Sequence, residues 1–353
     1  MTESRELYVA VGGKVIPWQV PIPPLAPTEV RVKVHSVAVN PIDWKTVENN
    51  LADGAGQGND FSGVVIAVGT DVKDYKQGDT VAGAVAGGDV DNPENGSFTN
   101  ILTVDRKYLF KLPHSLSKST HSWHISDGIP VTFEQAASVG LAIDTTAVAF
   151  GRSKPEKGEW ALIYGVTTST GFIAAQYARN LGYSVIGVSA PFPEIIDVLG
   201  IESLDRNDPE WPEKAKKLAG DKITFALDCV TKDPLDKIFS TLTKEQPAVL
   251  ASLDPGASLP EGHESAKPKV TLKPVLYFNL FQKVKKLGSL ALPENPEVYD
   301  NSEAYFDIIN AQLFKNQIRA LPITIVHGLD KLEEAFDLSK KARGTKIVVN
   351  LKI

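Results

Sequence analysis

Ala161-Leu-Ile-Tyr-Gly165-Val-Thr-Thr168-Ser-Thr-Gly171, running into Phe172-Ile-Ala-Ala-Gln-Tyr-Ala-Arg-Asn-Leu-Gly182, is the stretch whose reading decides the fold. A buried apolar strand ends at Tyr164, small residues form a turn, and a helical pattern opens near Thr170. Gly165 suits the tight turn, and Gly171 lets helix and sheet pack closely. Small residues from Thr167 to Thr170 allow a backbone to approach a pyrophosphate, which the helix N-terminus attracts through unpaired N–H groups. A full G-x-G-x-x-G would place a glycine where Thr168 and Ser169 stand, and their hydroxyls can donate to phosphate instead. A small-residue strand-to-helix turn that binds nothing fits the same letters.

The next strand, Tyr183 to Ser189, ends Val185-Ile-Gly-Val-Ser189-Ala-Pro191-Phe192 and meets no acid before Glu194. In NAD-preferring sites an acid at this strand end accepts from the ribose 2′-hydroxyl, and it would repel a 2′-phosphate. Its absence favours NADPH over NADH. Arg206, after the following short strand, is a basic partner for that phosphate or simply a solvated surface charge.

Further out, Ile223 to Asp228 and Ala248 to Ser252 are buried strands with helical stretches between them, so strands and helices alternate as in a parallel sheet. Phe133 to Phe150 reads as one helix. The first 110 residues differ: Val30-Arg-Val-Lys-Val34 alternates as a half-exposed strand, Val64 to Val68 is a short apolar run, and Gly78-Asp79 is a turn. Prolines between Pro17 and Pro27 forbid a central strand or a helix there. The tail returns to that style, with a strand in Ile318 to Val326, an amphipathic helix over Leu332 to Lys341, and a closing strand in Thr345 to Leu351. The expected architecture is α/β. A β-rich domain of residues 1–138 and 315–353 receives an inserted, doubly wound parallel sheet of residues 139–314.

Composition narrows the function. Thirty-seven basic against 43 acidic residues give a net charge of -6, which argues against a nucleic-acid binder. No apolar run reaches the roughly 18 residues of a membrane span, and the first residues lack a signal peptide's apolar stretch. The single Cys229 forms no internal disulfide and reads as a core thiol, so a reducing cytoplasmic location is expected. His114, His121, His124 and Asp127 lie in and beside a polar insertion, residues 118–129. They invite a metal proposal, but a solvated loop is the plainer reading.

Val37-Ala-Val-Asn40-Pro-Ile-Asp43-Trp44-Lys45, Gly58-Asn-Asp60-Phe-Ser-Gly63 and Val72-Lys-Asp-Tyr-Lys-Gln-Gly78-Asp79-Thr-Val81 resemble the quinone-oxidoreductase branch of the medium-chain dehydrogenase/reductase superfamily. So do Glu134-Gln-Ala-Ala137, Thr145, the 165–171 turn and Gly344-Thr-Lys-Ile-Val-Val349. Within that branch the chain is most similar to the ToxD-like group and the trans-acting enoyl reductases. The resemblance implies a GroES-like catalytic domain built from both chain ends around a Rossmann domain. It implies Asn40 to Lys45, with Trp44, at the nicotinamide end and Thr145 on the nicotinamide or its ribose. Thr168 to Gly171 would cover the pyrophosphate, and Ser189 to Phe192, Pro191 included, the adenosine ribose. Leu253, Asp254 and Ile347 would frame the nicotinamide, and Tyr277-Phe278-Asn279 would face the substrate. Zinc-dependent relatives carry a cysteine before the Asp43 position and a His-Glu pair where Asn59-Asp60 stands. Neither zinc site has its ligands here.

The expected reaction delivers a hydride from NADPH to an activated alkene, a quinone or an aldehyde. Lys45 supplies a cation for the developing oxyanion or is a surface lysine beside Trp44, and Asn40 supplies a neutral donor or a plain turn. Asp43 orients Lys45 or caps a helix. Lys283-Val-Lys-Lys286 suggests an acyl-carrier protein as partner, against the plainer reading of a solvated helix face. A small-molecule reductase, a reductase serving a polyketide synthase in trans, and a non-catalytic NADPH-binding protein are the three competing functions.

Overall fold

The computed structural model describes residues 3–112, 132–231, 235–283, 285–287, 290–306 and 318–351. The chain divides into two compact units, one of Met1–Asp144 with Phe278–Ile353 and one of Thr145–Tyr277.

The first unit begins with a hairpin, β1 (Ser4–Val11) and β2 (Lys14–Pro21), which form a two-stranded sheet, with single bridges from β1 at Leu7 to Thr99 and at Val9 to Gly56. Pro17 and Pro21 lie in β2, where an unpaired edge tolerates a missing N–H. β3 (Glu29–Ala38) follows; its Val30, Val32 and Val34 are buried and its Arg31 and Lys33 are not, as the alternation requires. Then come α1 (Pro41–Glu48), β4 (Asp60–Val68), β5 (Thr80–Ala84), β6 (Ile101–Asp105), β7 (Leu109–Lys111) and α2 (Phe133–Ala137). α3 (Gly140–Phe150) carries the chain from the first unit into the second.

The single helix expected over 133–150 is thus two. Ser138 Oγ donates back to the Gln135 carbonyl at 2.7 Å, closing α2. Gly140 opens α3 where a Cβ would lie 2.6 Å from the Gly83 carbonyl and 2.9 Å from Asp60 Oδ1. Only a residue without a side chain lets the helix start so close to β4 and β5.

The second unit is a six-stranded parallel sheet. Its elements are β8 (Trp160–Tyr164), α4 (Ser169–Leu181), β9 (Ser184–Ser189), α5 (Pro193–Leu199), β10 (Glu202–Asp205), α6 (Trp211–Ala219), β11 (Ile223–Asp228), α7 (Leu235–Thr241), β12 (Ala248–Ser252), α8 (His263–Ala266) and β13 (Val270–Pro274). The order is β10-β9-β8-β11-β12-β13, with every pair parallel. The order reverses between β8 and β11, which is the doubly wound topology. All six residues of β11 are buried, as expected of a strand covered on both faces.

The chain then returns to the first unit with β14 (Lys286–Leu287), β15 (Leu290–Ala291), α9 (Pro296–Asp300), β16 (Ile323–His327), α10 (Leu332–Lys341) and β17 (Lys346–Asn350). A seven-stranded sheet runs β16-β17-β3-β4-β5-β7, with β6 also on β3. β17 lies antiparallel to β3, Val348 opposite Ala38, so distant ends of the sequence share one sheet. The change of unit falls at Tyr277/Phe278, not at 314/315. The physical reason is that residues 278–306 pack on the first unit: Phe281 and Phe306 lie 4.6 and 5.2 Å from the Tyr108 ring, and Lys285 reaches the Gly87 carbonyl.

Candidate functional site

α1 starts at Asn40, whose extended backbone (φ −112°) and following proline suit a helix start. Asp43 reaches back so that its Oδ2 accepts from the Asn40 N–H at 2.6 Å, and its Oδ1 accepts from Asn59 Nδ2 at 2.5 Å. Asn40 Nδ2 donates to Asp60 Oδ2 at 2.8 Å. Asp60 Oδ1 accepts from the Leu141 N–H at 2.5 Å. Lys346, from β17, donates to Asn40 Oδ1 and sits 3.4 Å from Asp60 Oδ2. All five polar side chains are buried, Asp60 fully.

This network gives Asn40 and Asp43 a structural part at the start of α1. Asn40 is a helix start rather than a plain turn, and Asp43 holds that start. Asn40's amide oxygen is taken by Lys346 and one of its amide hydrogens by Asp60, so it positions α1. Burial pushes Asp43 up to about 7, assisted by the neighbouring Asp60 and opposed by the bonds from Asn40 and Asn59. Burial likewise raises Asp60, with Lys346 the strongest opposing influence. Lys346 was missed as a site residue because its partners are some three hundred positions away. The only signal was a lysine opening a strand whose next three residues, Ile347 to Val349, are apolar.

One turn along α1, Trp44 packs half-buried against the β core, with its indole N–H buried and unbonded. Lys45 Nζ stands 5.7 Å from the Trp44 ring centroid and Lys340 Nζ, from α10, 5.9 Å. Both ammonium groups suit the electron-rich ring face. Lys45 is half-buried, so its stem packs while its head stays within reach of solvent.

The residues expected around the substrate are more enclosed than the sequence suggested. Tyr277, Phe278 and Asn279 form a 3-10 turn (Tyr277–Leu280) and are each buried, and Asn279 donates to the Pro293 carbonyl at 3.3 Å. Ile347 is buried in the β core of the first unit. The lysine cluster is no helix face: Lys286 begins β14 and lies 3.7 Å from Asp91, while Lys283 lies 3.7 Å from Asp300. Lys285 is buried over the Phe278 ring, 3.8 Å from Asp89, and burial brings it down to about 8.

In the second unit the turn after β8 follows the sequence reading closely. Gly165 has φ +83°, and a Cβ on Gly171 would lie 2.2 Å from the Gly165 carbonyl oxygen. Thr168 is the cap of α4: its Oγ1 donates to the Gly165 carbonyl at 2.8 Å and accepts from the Gly171 N–H at 3.1 Å. Its hydroxyl proton is therefore engaged within the turn and not offered to a phosphate. Thr167, Thr168 and Ser169 are half-buried, and Thr170 and Gly171 are buried. The first N–H groups of a helix lack partners within it, so those of Ser169 and Thr170 remain for a ligand.

At the end of β9, Ser189 is buried and donates to the Ala190 carbonyl at 2.8 Å, and Pro191 is exposed. Arg206 is exposed, and its N–H donates to the Ser189 carbonyl at 2.8 Å, which brings it to the expected strand end. An acid lies one strand away: Asp205 pairs with Ser189 across β9 and β10. It arrives on the neighbouring strand, where a search along β9 alone does not find it. Its Oδ1 accepts from the Asn207 N–H at 2.9 Å. Leu253 and Asp254 follow β12, where the Leu253 N–H donates to the Asp228 carbonyl at 3.1 Å. Thr145 is buried on α3. Cys229, half-buried rather than a full core thiol, has its pKa raised by burial.

His114, His121, His124 and Asp127 lie outside the described residues. Among the described residues no group of three or more His, Cys, Asp or Glu is arranged to hold a metal, and Asn59 and Asp60 are bound into the α1 network. No helix among them is long and apolar enough to cross a membrane.

Residues 26–114 match the alcohol dehydrogenase GroES-like domain. The trans-enoyl reductase RAP2 of Pyricularia oryzae is 33% identical over 224 residues, a stretch that spans 62% of this chain and 62% of RAP2. The trans-enoyl reductase pvhC of Talaromyces variabilis is 27% identical over 99% of this chain and 97% of its own length. Among solved structures, the CurK enoyl reductase superposes with a TM-score of 0.76 at 18% identity, covering 99% of each chain, a likeness of fold.

Proposed function

We propose that this chain, a medium-chain dehydrogenase/reductase allied to the trans-enoyl reductases, is an NADPH-dependent reductase of carbon–carbon double bonds conjugated to a carbonyl. The observation that carries this reading is the β8–α4 turn, which has no room for a side chain at Gly171 and opens a thirteen-residue helix where the strand order reverses. Thr167 to Gly171 would hold the pyrophosphate through backbone N–H groups. Ser189, Pro191 and Arg206 would hold the adenosine ribose and its 2′-phosphate. Thr145, Leu253 and Asp254 would hold the nicotinamide half.

When bound, the reduced nicotinamide supplies a hydride. Lys45 would then stabilise the negative charge that develops on the carbonyl oxygen, because a cation aimed at a developing oxyanion favours the transition state over the ground state. The proton for the α-carbon comes from solvent or from the Lys45 ammonium. Asn40, Asp43, Asp60 and Lys346 fix the helix that carries Lys45. The relatives are named trans-enoyl reductases, which agrees with a second, narrower reading of our own, in which the acyl group arrives as a thioester on a carrier of a polyketide synthase.

Titration with NADPH and with NADH, followed by NADPH consumption on free enones and on α,β-unsaturated pantetheine thioesters, tests both. Tighter NADPH binding with turnover of thioesters above free enones supports the trans-acting form. Turnover of free enones, quinones or aldehydes alone supports a stand-alone reductase. Binding without turnover on any of them leaves a non-catalytic protein, and no binding of either dinucleotide overturns the proposal.

A further inference from the structure

Thr231 has a conformation that its side chain disfavours. It stands just beyond β11 with φ +63°, in the left-handed region that β-branched residues rarely enter. The other described non-glycine residue there, Asn50 at φ 51°, is of a type that tolerates it. Asp228 holds Thr231 in place: its Oδ1 accepts from the Val230 and Thr231 N–H groups at 2.9 and 3.2 Å, and its Oδ2 accepts from Ser252 Oγ at 3.1 Å. Glycine would adopt the same backbone without strain. What threonine adds is a half-buried side chain whose hydroxyl bonds to no described residue.

The position is informative. β11 flanks β8 on the side away from β9. The chain just beyond it rests on the β8–α4 turn, since a Cβ on Gly165 would lie 2.6 Å from Val230 Cγ2. Ligands of open parallel sheets lie beyond the carboxyl ends of the strands where the order reverses. A dinucleotide with its adenosine at the end of β9 and its pyrophosphate on the 165–171 turn continues towards β11. Strain kept at such a point marks a contact that outweighs it.

We propose that the Thr231 hydroxyl binds the ribose on the nicotinamide side of the dinucleotide, and that the strained backbone persists for that contact. The inference rests on the cofactor reading given above. Three variants of the full chain, Thr231→Gly, Thr231→Ala and Thr231→Ser, test it by thermal melting without cofactor and by titration with NADPH and with 2′,5′-ADP, a fragment that lacks the nicotinamide half. Thr231→Gly should raise the melting midpoint by a few degrees and weaken NADPH binding about tenfold, as loss of one buried polar contact does. Thr231→Ala should weaken NADPH binding similarly, and Thr231→Ser should bind like the parent. All three should bind 2′,5′-ADP unchanged. NADPH binding unaltered in the glycine or alanine variant overturns the proposal, as does an equal loss for the fragment. A parent chain that binds neither NADPH nor NADH removes the cofactor reading itself, and this contact with it.

Discussion

The two units handle polar chemistry in opposite ways. Around α1, charged side chains are buried and paired: Asp43, Asp60 and Lys346, with Asn40 and Asn59 between them, fix one helix start. At the start of α4 the groups left open are backbone N–H groups, and the side chains are small or absent. The first arrangement fixes geometry through buried ions that share partners, and so resists change at any member. The second depends on space, and is sensitive to added atoms rather than to lost charge.

The largest expected effect breaks the first arrangement. Lys346→Met leaves Asp60 buried without its cation, and removal of one partner from a buried pair typically costs about 3–5 kcal/mol. Urea denaturation should show the loss, and a variant within about 1 kcal/mol of the parent would mean the network is not held by charge. A pH series sharpens the same point. The unfolded chain releases the Asp43 proton near the ordinary carboxylate pKa, while the folded chain retains it to about 7. Rising pH across that interval therefore favours the unfolded chain, so this contribution declines from about pH 4 to about pH 7 and is constant above. Asp43→Asn should be less stable overall and should lack that slope in its melting midpoints. The smallest effect concerns the second arrangement, where Arg206 is exposed. Arg206→Ala should weaken NADPH binding about tenfold, leave NADH binding unchanged and leave stability within ~0.5 kcal/mol. Equal weakening of both cofactors would move the 2′-phosphate contact elsewhere.

What could be read from the sequence follows the same division. The strands Trp160–Tyr164, Ile223–Asp228 and Ala248–Ser252 and the helix Leu332–Lys341 stand where hydrophobic pattern and turn residues put them, because those signals are local. The β8–α4 turn was legible because its chemistry lies within seven consecutive residues. Lys346 as the partner of Asn40, Asp205 beside Ser189, and the burial of Lys285 were not. Each depends on which strand or segment lies next to another, and pairing between distant segments leaves no periodic trace. The helix-capping alternative for Asp43 was legible in the sequence, whereas the burial that makes it and Asn40 an anchor was not.

The sheet that joins β3 to β17 also sets an order of assembly. The Lys346 bond to Asn40 spans 306 residues, whereas the parallel sheet of β8 to β13 is one uninterrupted stretch of chain. During synthesis the inserted unit can close as soon as it emerges. The anchor of α1 must wait for β17, which follows the whole inserted unit, and until then only Ser36 to Ala38 of β3, beyond the stretch paired with β6, lack their strand partner. Pairing of β6 with Glu29 to Lys33 therefore keeps the edge that waits for β17 short, which limits its use as a template for other strands.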